Sequence, residues 1–254
     1  MTTKSAPLTL ITGGSRGLGR AMAFAVARQG HDVLLTYRSQ QAEAEAVVAE
    51  IEALGQRAAA LPLDVGQSDV FDTFADAVRT RLTAWGRERF DHLVNNAGMG
   101  VHAGFAETTR AQFDALVDVH LKGPFFLTQT LLPLLADGGR IVNISSGLAR
   151  FALPGYAAYA AMKGAMEVLT RYQAKELGAR GIAVNIIAPG AIETDFGGGA
   201  VRDNAELNAF VAEQTALGRV GLPDDIGGAV ALLLSPGAGW INAQRIEVSG
   251  GMFV

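Results

Sequence analysis

The chain of 254 residues contains no cysteine, which excludes a disulfide scaffold and any thiolate nucleophile or thiolate metal ligand. No stretch approaches the roughly 18 consecutive apolar residues of a membrane span. The opening "MTTKSAPLTL" also lacks the apolar core of a secretory signal. No membrane partner and a cytoplasmic location are therefore expected. Charge of one sign is scarce as well: 21 Lys and Arg against 25 Asp and Glu, mixed along the chain, leave a formal net charge of -4. Nucleic-acid binding would call for a basic stripe, so no nucleic-acid partner is expected. The 4 histidines, His31, His92, His102 and His120, fit no metal-ligand spacing, and no metal is expected. Linkers, repeats and low-complexity runs are absent too, which predicts one domain over residues 1–254.

What the chain has is apolar substance, 49% hydrophobic residues, and 31 glycines, ample for a large core. Short apolar runs at 8–12, 31–37, 57–63, 92–96, 140–145, 182–188 and 244–249 alternate with helical segments near 16–29, 40–54, 67–84, 110–135, 156–179 and 223–235. Several runs are apolar on both faces, as strands of a buried parallel sheet must be. The alternation predicts an α/β fold: a Rossmann-type doubly wound sheet of about seven parallel strands with helices on both faces. In such sheets ligands bind beyond the carboxyl ends of the strands, so the residues just after each strand are the candidates for chemistry.

The first such segment is "TGGSRGLG" at 12–19, between the first strand and a helix. Its glycines permit a tight turn and a close approach of backbone, and free N–H groups at the helix start can receive a pyrophosphate. The spacing is neither G-x-G-x-x-G nor a P-loop, and glycines at such a place can be plain turn residues. A second segment, "PGYAAYAAMKGA", holds Tyr156, Tyr159 and Lys163. Positions i and i+4 share a helix face, so Tyr159 and Lys163 can act on one site; the residue four after Tyr156 is Ala160, and packing is the expected role of Tyr156.

T-G-x-x-x-G-x-G from Thr12 to Gly19, "NNAG" at 95–98, Ser146, and Y-x-x-x-K from Tyr159 to Lys163 occur in that order, each beside a predicted strand. Together they resemble the short-chain dehydrogenase/reductase family over essentially the whole chain. Within it, "LLTYRS", "PGAIETD" and the ending "VSGGMFV" are most similar to 3-oxoacyl-[acyl-carrier-protein] reductases.

The resemblance implies an enzyme that moves a hydride between NADP(H) and a ketone or secondary alcohol, a 3-oxoacyl thioester among the candidates. Tyr159 would be the general acid and Lys163 its electrostatic tuner and a ligand of the nicotinamide ribose, since a phenol with pKa near 10 must be tuned to cycle. Ser146 would hydrogen-bond the substrate oxygen, with Ser145 as its structural competitor. The implied cofactor contacts are Gly13, Ser15, Arg16, Gly17, Leu18 and Gly19 in the glycine turn, Tyr37 and Arg38 after the second strand, and Asp64 and Val65 after the third. Asn95, Ala97 and Gly98 follow after the fourth strand, then Tyr159 and Lys163 themselves, and Pro189, Gly190, Ile192 and Thr194 after the sixth. For Asp64 and Asn95 a turn or bracing role is the alternative. Tyr37 stands where a carboxylate would hold an NAD ribose, and Arg16 and Arg38 suit a 2'-phosphate, so NADPH is the expected form.

One position departs from the family pattern: His120 replaces the usual asparagine. Either it is a core histidine, or its imidazole holds the water of a proton relay to Lys163, neutral at pH 7 because burial and nearby positive charge depress its pKa. Residues around 191–215 read as a substrate lid. An acyl carrier protein would want basic residues at the site mouth; Lys175 is the candidate, while Phe126 stands where such reductases can carry arginine. A homotetramer is expected by family likeness and from the apolar surface of 110–135. A cofactor-sensing binding protein on the same fold is the rival reading, disfavoured by the intact Ser146, Tyr159 and Lys163. A hydrolase is less consistent, without a G-x-S-x-G elbow.

Overall fold

The alternating apolar runs become seven strands of one sheet: β1 (Leu8–Ile11), β2 (Asp32–Tyr37), β3 (Ala58–Pro62), β4 (Phe90–Asn95), β5 (Leu135–Ile144), β6 (Ala183–Pro189) and β7 (Arg245–Val248). A computed structural model describes residues 6–254; residues 1–5 of the expected domain lie outside it. All pairings are parallel, in the order β3-β2-β1-β4-β5-β6-β7. The order reverses between β1 and β4, and the crevice above that point is where an open α/β sheet receives a ligand.

Alternate residues of each strand feed cores on opposite faces. Leu8, Leu10, Leu34 and Leu93 join one cluster with α3 (Phe71–Ala84), α5 (Gly123–Leu131) and the end of α6 (Ala157–Leu177). Ile11, Val33, Leu35 and Val94 join the other with α1 (Gly17–Arg28), α2 (Gln41–Ala53) and α9 (Pro223–Leu234). α1 and α9 cross so closely that a Cβ on Gly227 would stand 2.7 Å from the Ala21 carbonyl oxygen. Beyond β6 the chain forms a short α7 (Ala200–Asp203) and α8 (Ala205–Glu213), whose Val201, Leu207 and Val211 pack with Met252 and Phe253 of the C-terminal tail.

The segment expected as one helix over 110–135 is divided. α4 (Arg110–Val117) passes into a π-helical turn over Asp118–Lys122 before α5, and β5 already begins at Leu135. Pro124 explains the widened turn, since a proline inside a helix donates no hydrogen bond and crowds the carbonyl four residues back, here that of His120. The early start of β5 is absorbed by an irregularity in its pairing with β4 and by Gly138, whose φ is 75°.

At the other end of the sheet, away from the crevice, the strand starts enclose polar groups. Asp32 is buried and bound by Arg57 at 2.6 Å and Arg87 at 3.1 Å. Beside it the rings of His31 and His92 lie 5.3 Å apart, with His31 Nδ1 on Thr9 Oγ1 at 2.9 Å. His92 Nδ1 is buried with no hydrogen-bond partner. Burial first, then the neighbouring His31 and Arg140, pull the His92 pKa down from 6.5 to about 3; burial lowers that of His31 too, against Asp91 and Asp32. The unfolded chain therefore binds a proton near pH 6.5 that the folded chain binds on His92 only near pH 3. Stability from the neutral ring is complete above the unfolded value and is lost as pH falls toward the folded one, by up to about 1.4 kcal/mol per pH unit. Thermal melts between about pH 7 and pH 5 are expected to show a falling Tm whose slope is shallower in His92→Asn; an equal slope in the variant would remove His92 from the account.

Candidate active site

Thr12 follows β1 and opens the glycine turn. Its hydroxyl donates to the Val94 carbonyl at 3.3 Å and accepts from the backbone N–H groups of Asn96 and Ala97, both at 3.0 Å. The Asn96 side-chain amide donates back to the Thr12 and Gly13 carbonyls at 2.8 and 3.1 Å. The turns after β1 and β4 are thus laced together at the point where the sheet order reverses. Gly13 and Gly17 have φ of 67° and 53°, a region that favours glycine. A Cβ on Gly19 would lie 2.0 Å from the Gly13 carbonyl oxygen, and one on Gly14 would lie 2.6 Å from Leu35 Cβ. No side chain caps the start of α1, so its first amide groups are open to an anion.

Ser15 and Leu18 flank this turn, half-buried, while Arg16 and Arg38 are exposed on either side of the end of β2, where Tyr37 is half-buried. Among the described residues neither arginine has a carboxylate partner, unlike the adjacent Arg20, which pairs with Glu50 at 3.0 Å. Thr194 comes within 3.8 Å of where a Gly17 Cβ would be, joining the segment after β6 to the turn. That segment leaves the sheet at Pro189, passes Gly190, whose N–H donates to the Val248 carbonyl at 3.1 Å, and bridges Ile192 to Gly221. Asp64 Oδ1 accepts from the Gly66 N–H at 2.9 Å and so shapes its own turn; Val65 beside it is buried. Asn95 is buried below the crevice, its amide donating to Thr128 at 3.1 Å and Asn143 at 2.9 Å. Its contacts are those of a brace between β4, β5 and α5, the alternative weighed for it on sequence.

Above β5 the catalytic candidates converge. Lys163 is buried and its ammonium donates to the Ile144 carbonyl at 2.8 Å, with Nζ 5.5 Å from the centre of the Tyr159 ring. The helical spacing thus brings the pair together as expected. Burial pulls the Lys163 pKa down to about 7, and it pushes that of Tyr159 above its ordinary 10, with hydrogen bonding to Ser146 acting against it. Loss of water therefore dominates in setting the tyrosine, and its pKa is raised where a lowering by the lysine was expected: both groups favour their uncharged forms when desolvated.

The two serines separate cleanly. Ser145 is buried and donates to Glu167 at 2.7 Å, and Glu167 is held by Arg245 at 2.7 Å. Ser146 Oγ accepts from the Leu148 N–H at 3.2 Å, which leaves its own proton available.

His120 lies in the π turn, buried, with its ring edge-on to Tyr159 at 5.2 Å and Nε2 2.7 Å from the Met99 carbonyl. It fits there because residue 98 is glycine: a Cβ would stand 2.8 Å from His120 Cε1. Burial, then the charge of Lys163, lower its pKa to about 3. The ring is neutral at pH 7, as expected, and any effect of its protonation falls near pH 3. The nitrogen with a partner is engaged by the Met99 carbonyl, an anchoring contact. Tyr156 instead stands edge-on to His102 at 5.0 Å. Sequence spacing does not single out Asn96 or Phe196; the ring of Phe196 lies 5.7 Å from that of Tyr159, a contact between residues far apart in the chain.

The family described as enoyl-(acyl carrier protein) reductase matches residues 13–253. A protein of Synechocystis named 3-oxoacyl-[acyl-carrier-protein] reductase is 36% identical over 256 residues, covering 99% of each chain. The chain belongs to the short-chain dehydrogenase/reductase family. Among solved structures, the promiscuous reductase LugOII, described as catalysing keto-reduction at C1 during lugdunomycin biosynthesis, superposes with a TM-score of 0.92 at 38% identity over 97% of both chains. A short-chain dehydrogenase of Burkholderia cenocepacia in complex with NADP gives 0.88 at 36% identity, over 96% of this chain and 97% of the other. Against the family pattern, Ser146, Tyr159 and Lys163 stand in place and His120 is the departure.

The residues fit a dinucleotide: an uncapped helix start, glycines where a Cβ would collide, and two exposed arginines, Arg16 in the glycine turn and Arg38 just after β2, without a carboxylate partner among the described residues. The tightest of these is Gly19. A methyl there is expected to cost more than about 2 kcal/mol, which for a chain of this size is a Tm loss of about 4–8 °C. Thermal melting of Gly19→Ala checks this, and an unchanged Tm would mean that the turn yields.

Proposed function

We infer that the protein is an NADP-dependent oxidoreductase that interconverts a ketone and a secondary alcohol, with Tyr159 as proton donor. The observation that carries this is the meeting of half-buried Ser146 with buried Tyr159 and Lys163 above β5, in a chain whose α1 starts uncapped. The NADP complex of the Burkholderia relative and the keto-reduction of LugOII support it. A binding protein without turnover would not need a buried tyrosine and a buried lysine in contact beside a serine hydroxyl, and this rival is not favoured.

When bound, NADPH supplies a hydride to the carbonyl carbon; the chain must then supply one proton to the carbonyl oxygen. Tyr159, kept protonated by burial, holds that proton and is the group to release it once charge develops on the oxygen. Ser146 donates to the same oxygen and stabilises the charge as it grows. Lys163, with a pKa of about 7, gains or loses a proton at neutral pH, and in its ammonium form it favours the phenolate left behind. His120 positions the ring of Tyr159 and the loop at Met99. In the cofactor cleft, Gly13, Ser15, Gly17, Leu18 and Gly19 would receive the pyrophosphate. Asp64 and Val65, with Ala97 and Gly98, would line the adenosine end, and Pro189, Gly190, Ile192 and Thr194 the nicotinamide. Residues 191–215 would form a lid over the substrate.

Docking of an acyl carrier protein gains no support from Lys175. It lies 16 residues beyond Tyr159 on α6, about 24 Å along the axis and toward the opposite end of the sheet. Among the described residues no helix is long and apolar enough to cross a membrane; we place the enzyme in the cytoplasm. The exposed Phe113, Phe125 and Phe126 of α4 and α5 and Tyr172 of α6 offer apolar surface for a homotetramer.

Two tests follow from the chemistry. With a panel of ketones and NADPH, Tyr159→Phe is expected to lower kcat by roughly 100-fold or more while Tyr156→Phe does far less; equal losses would overturn the assignment. Wild type is expected to prefer NADPH over NADH by at least about tenfold, and Arg38→Ala to erase most of that preference, because charge-assisted bonds to a phosphate are worth about 1.5–3 kcal/mol each. Equal kcat/KM values for the two cofactors in wild type would refute it.

A further inference from the structure

Phe196 is half-exposed, yet its ring lies 5.7 Å from that of Tyr159, tilted by 54°. Beneath it is bare backbone: a Cβ on Gly100 would stand 2.9 Å from Phe196 Cζ and 3.0 Å from Cε1. Gly100 is outside the set of glycines with positive φ, so space for this ring, not backbone conformation, is what glycine provides there. On its N-terminal side Phe196 is pinned by its N–H on Thr194 Oγ1 at 3.1 Å. On the other side come Gly197, Gly198 and Gly199, with φ of 63°, 76° and 78°, a run that swings the chain away while leaving the ring in place. Arg202, bound to Asp195 and to Asp203, closes this loop across its base.

The loop that carries Gly100 also carries His102, which stands edge-on to Tyr156 at 5.0 Å and is tied to the segment before α6 by Ala103 N–H on the Gly155 carbonyl at 2.9 Å. Met99, Val101 and Leu148 pack around Tyr159 between these rings. The surround of the tyrosine is therefore aromatic and apolar. Arg202, six residues after Phe196, is neutralised as above, and Arg150, nine residues before Tyr159, by Glu247 at 2.7 Å and by the Met252 and Phe253 carbonyls.

We propose that Phe196 is the substrate-facing wall of this site and selects ketones carried on or beside a flat ring system over linear chains. This rests on the ketone-reductase reading above. A flat ring can lie against the exposed face of Phe196 while its carbonyl points to Tyr159 and Ser146, and offset or edge-to-face ring contacts are favourable beyond the area they bury. A linear oxoacyl chain has no ring face to offer and must freeze its own torsions, and the two arginines named above are already engaged by carboxylates.

The test compares α-tetralone with a linear decanone and a linear oxoacyl thioester, each with NADPH, by kcat/KM. Wild type is expected to favour α-tetralone over both. Phe196→Ala is expected to lower the ratio of α-tetralone to decanone about fivefold or more, chiefly through KM, and Phe196→Tyr to keep it. Gly100→Ala, which pushes on the same ring from below, is expected to act in the same direction and serves if Phe196→Ala does not fold. A wild type that handles the linear substrates as well as α-tetralone, or a ratio unmoved in Phe196→Ala, would overturn the proposal and leave the reductase reading intact. Failure of the wild type to reduce any of the three would overturn both.

Discussion

The close approach of the turns after β1 and β4 is the constraint on which the site depends. One hydroxyl, that of Thr12, accepts two backbone N–H groups of the facing turn and donates to Val94, and the Asn96 amide returns two bonds to Thr12 and Gly13. Such contacts need backbone within hydrogen-bond distance of backbone, which leaves no room for a side chain at Gly19. The same lacing holds open the start of α1 and fixes where β4 delivers Met99 and Gly100, hence where His120 and Phe196 find their partners.

Desolvation sets the electrostatics above this frame. Lys163, Tyr159 and His120 are all buried, and in each the charged form is disfavoured, so the site at neutral pH holds a protonated phenol, a neutral imidazole and a lysine poised near its own titration. Charge is instead kept nearby in satisfied pairs. Glu167, Arg245, Glu247 and Arg150 run in a chain from Ser145 to the C-terminal tail. Ser145 is thereby committed to structure, and the proposed role toward substrate falls to its neighbour Ser146. Two adjacent hydroxyls of equal intrinsic chemistry are distinguished only by which one meets a carboxylate.

The aromatic surround of Tyr159 shows how a common frame acquires its own selectivity. The frame lies on strands and long helices, whereas Phe196, Gly100, His102 and Tyr156 lie on the loops at the carboxyl ends of the strands or at a helix start, where replacement disturbs little packing. The C-terminal tail joins this layer through Phe151 and Phe253, whose rings stand 4.8 Å apart.

By itself the sequence determined the parallel α/β alternation, the glycine turn and the pairing of Tyr159 with Lys163. These rest on periodicity, on backbone conformations open to glycine, and on the rise of a helix, all short-range and all written within a few residues. Tertiary structure decided the rest. It broke the expected 110–135 helix at a π turn set by Pro124 and turned Asn95 into a brace between strands. It also brought out Asn96, and it allotted Ser145 to Glu167. It placed Phe196 against Gly100 and Tyr159. Each of these outcomes depends on which side chain meets which across the sheet or between loops, and the local pattern of the chain carries no record of those distances.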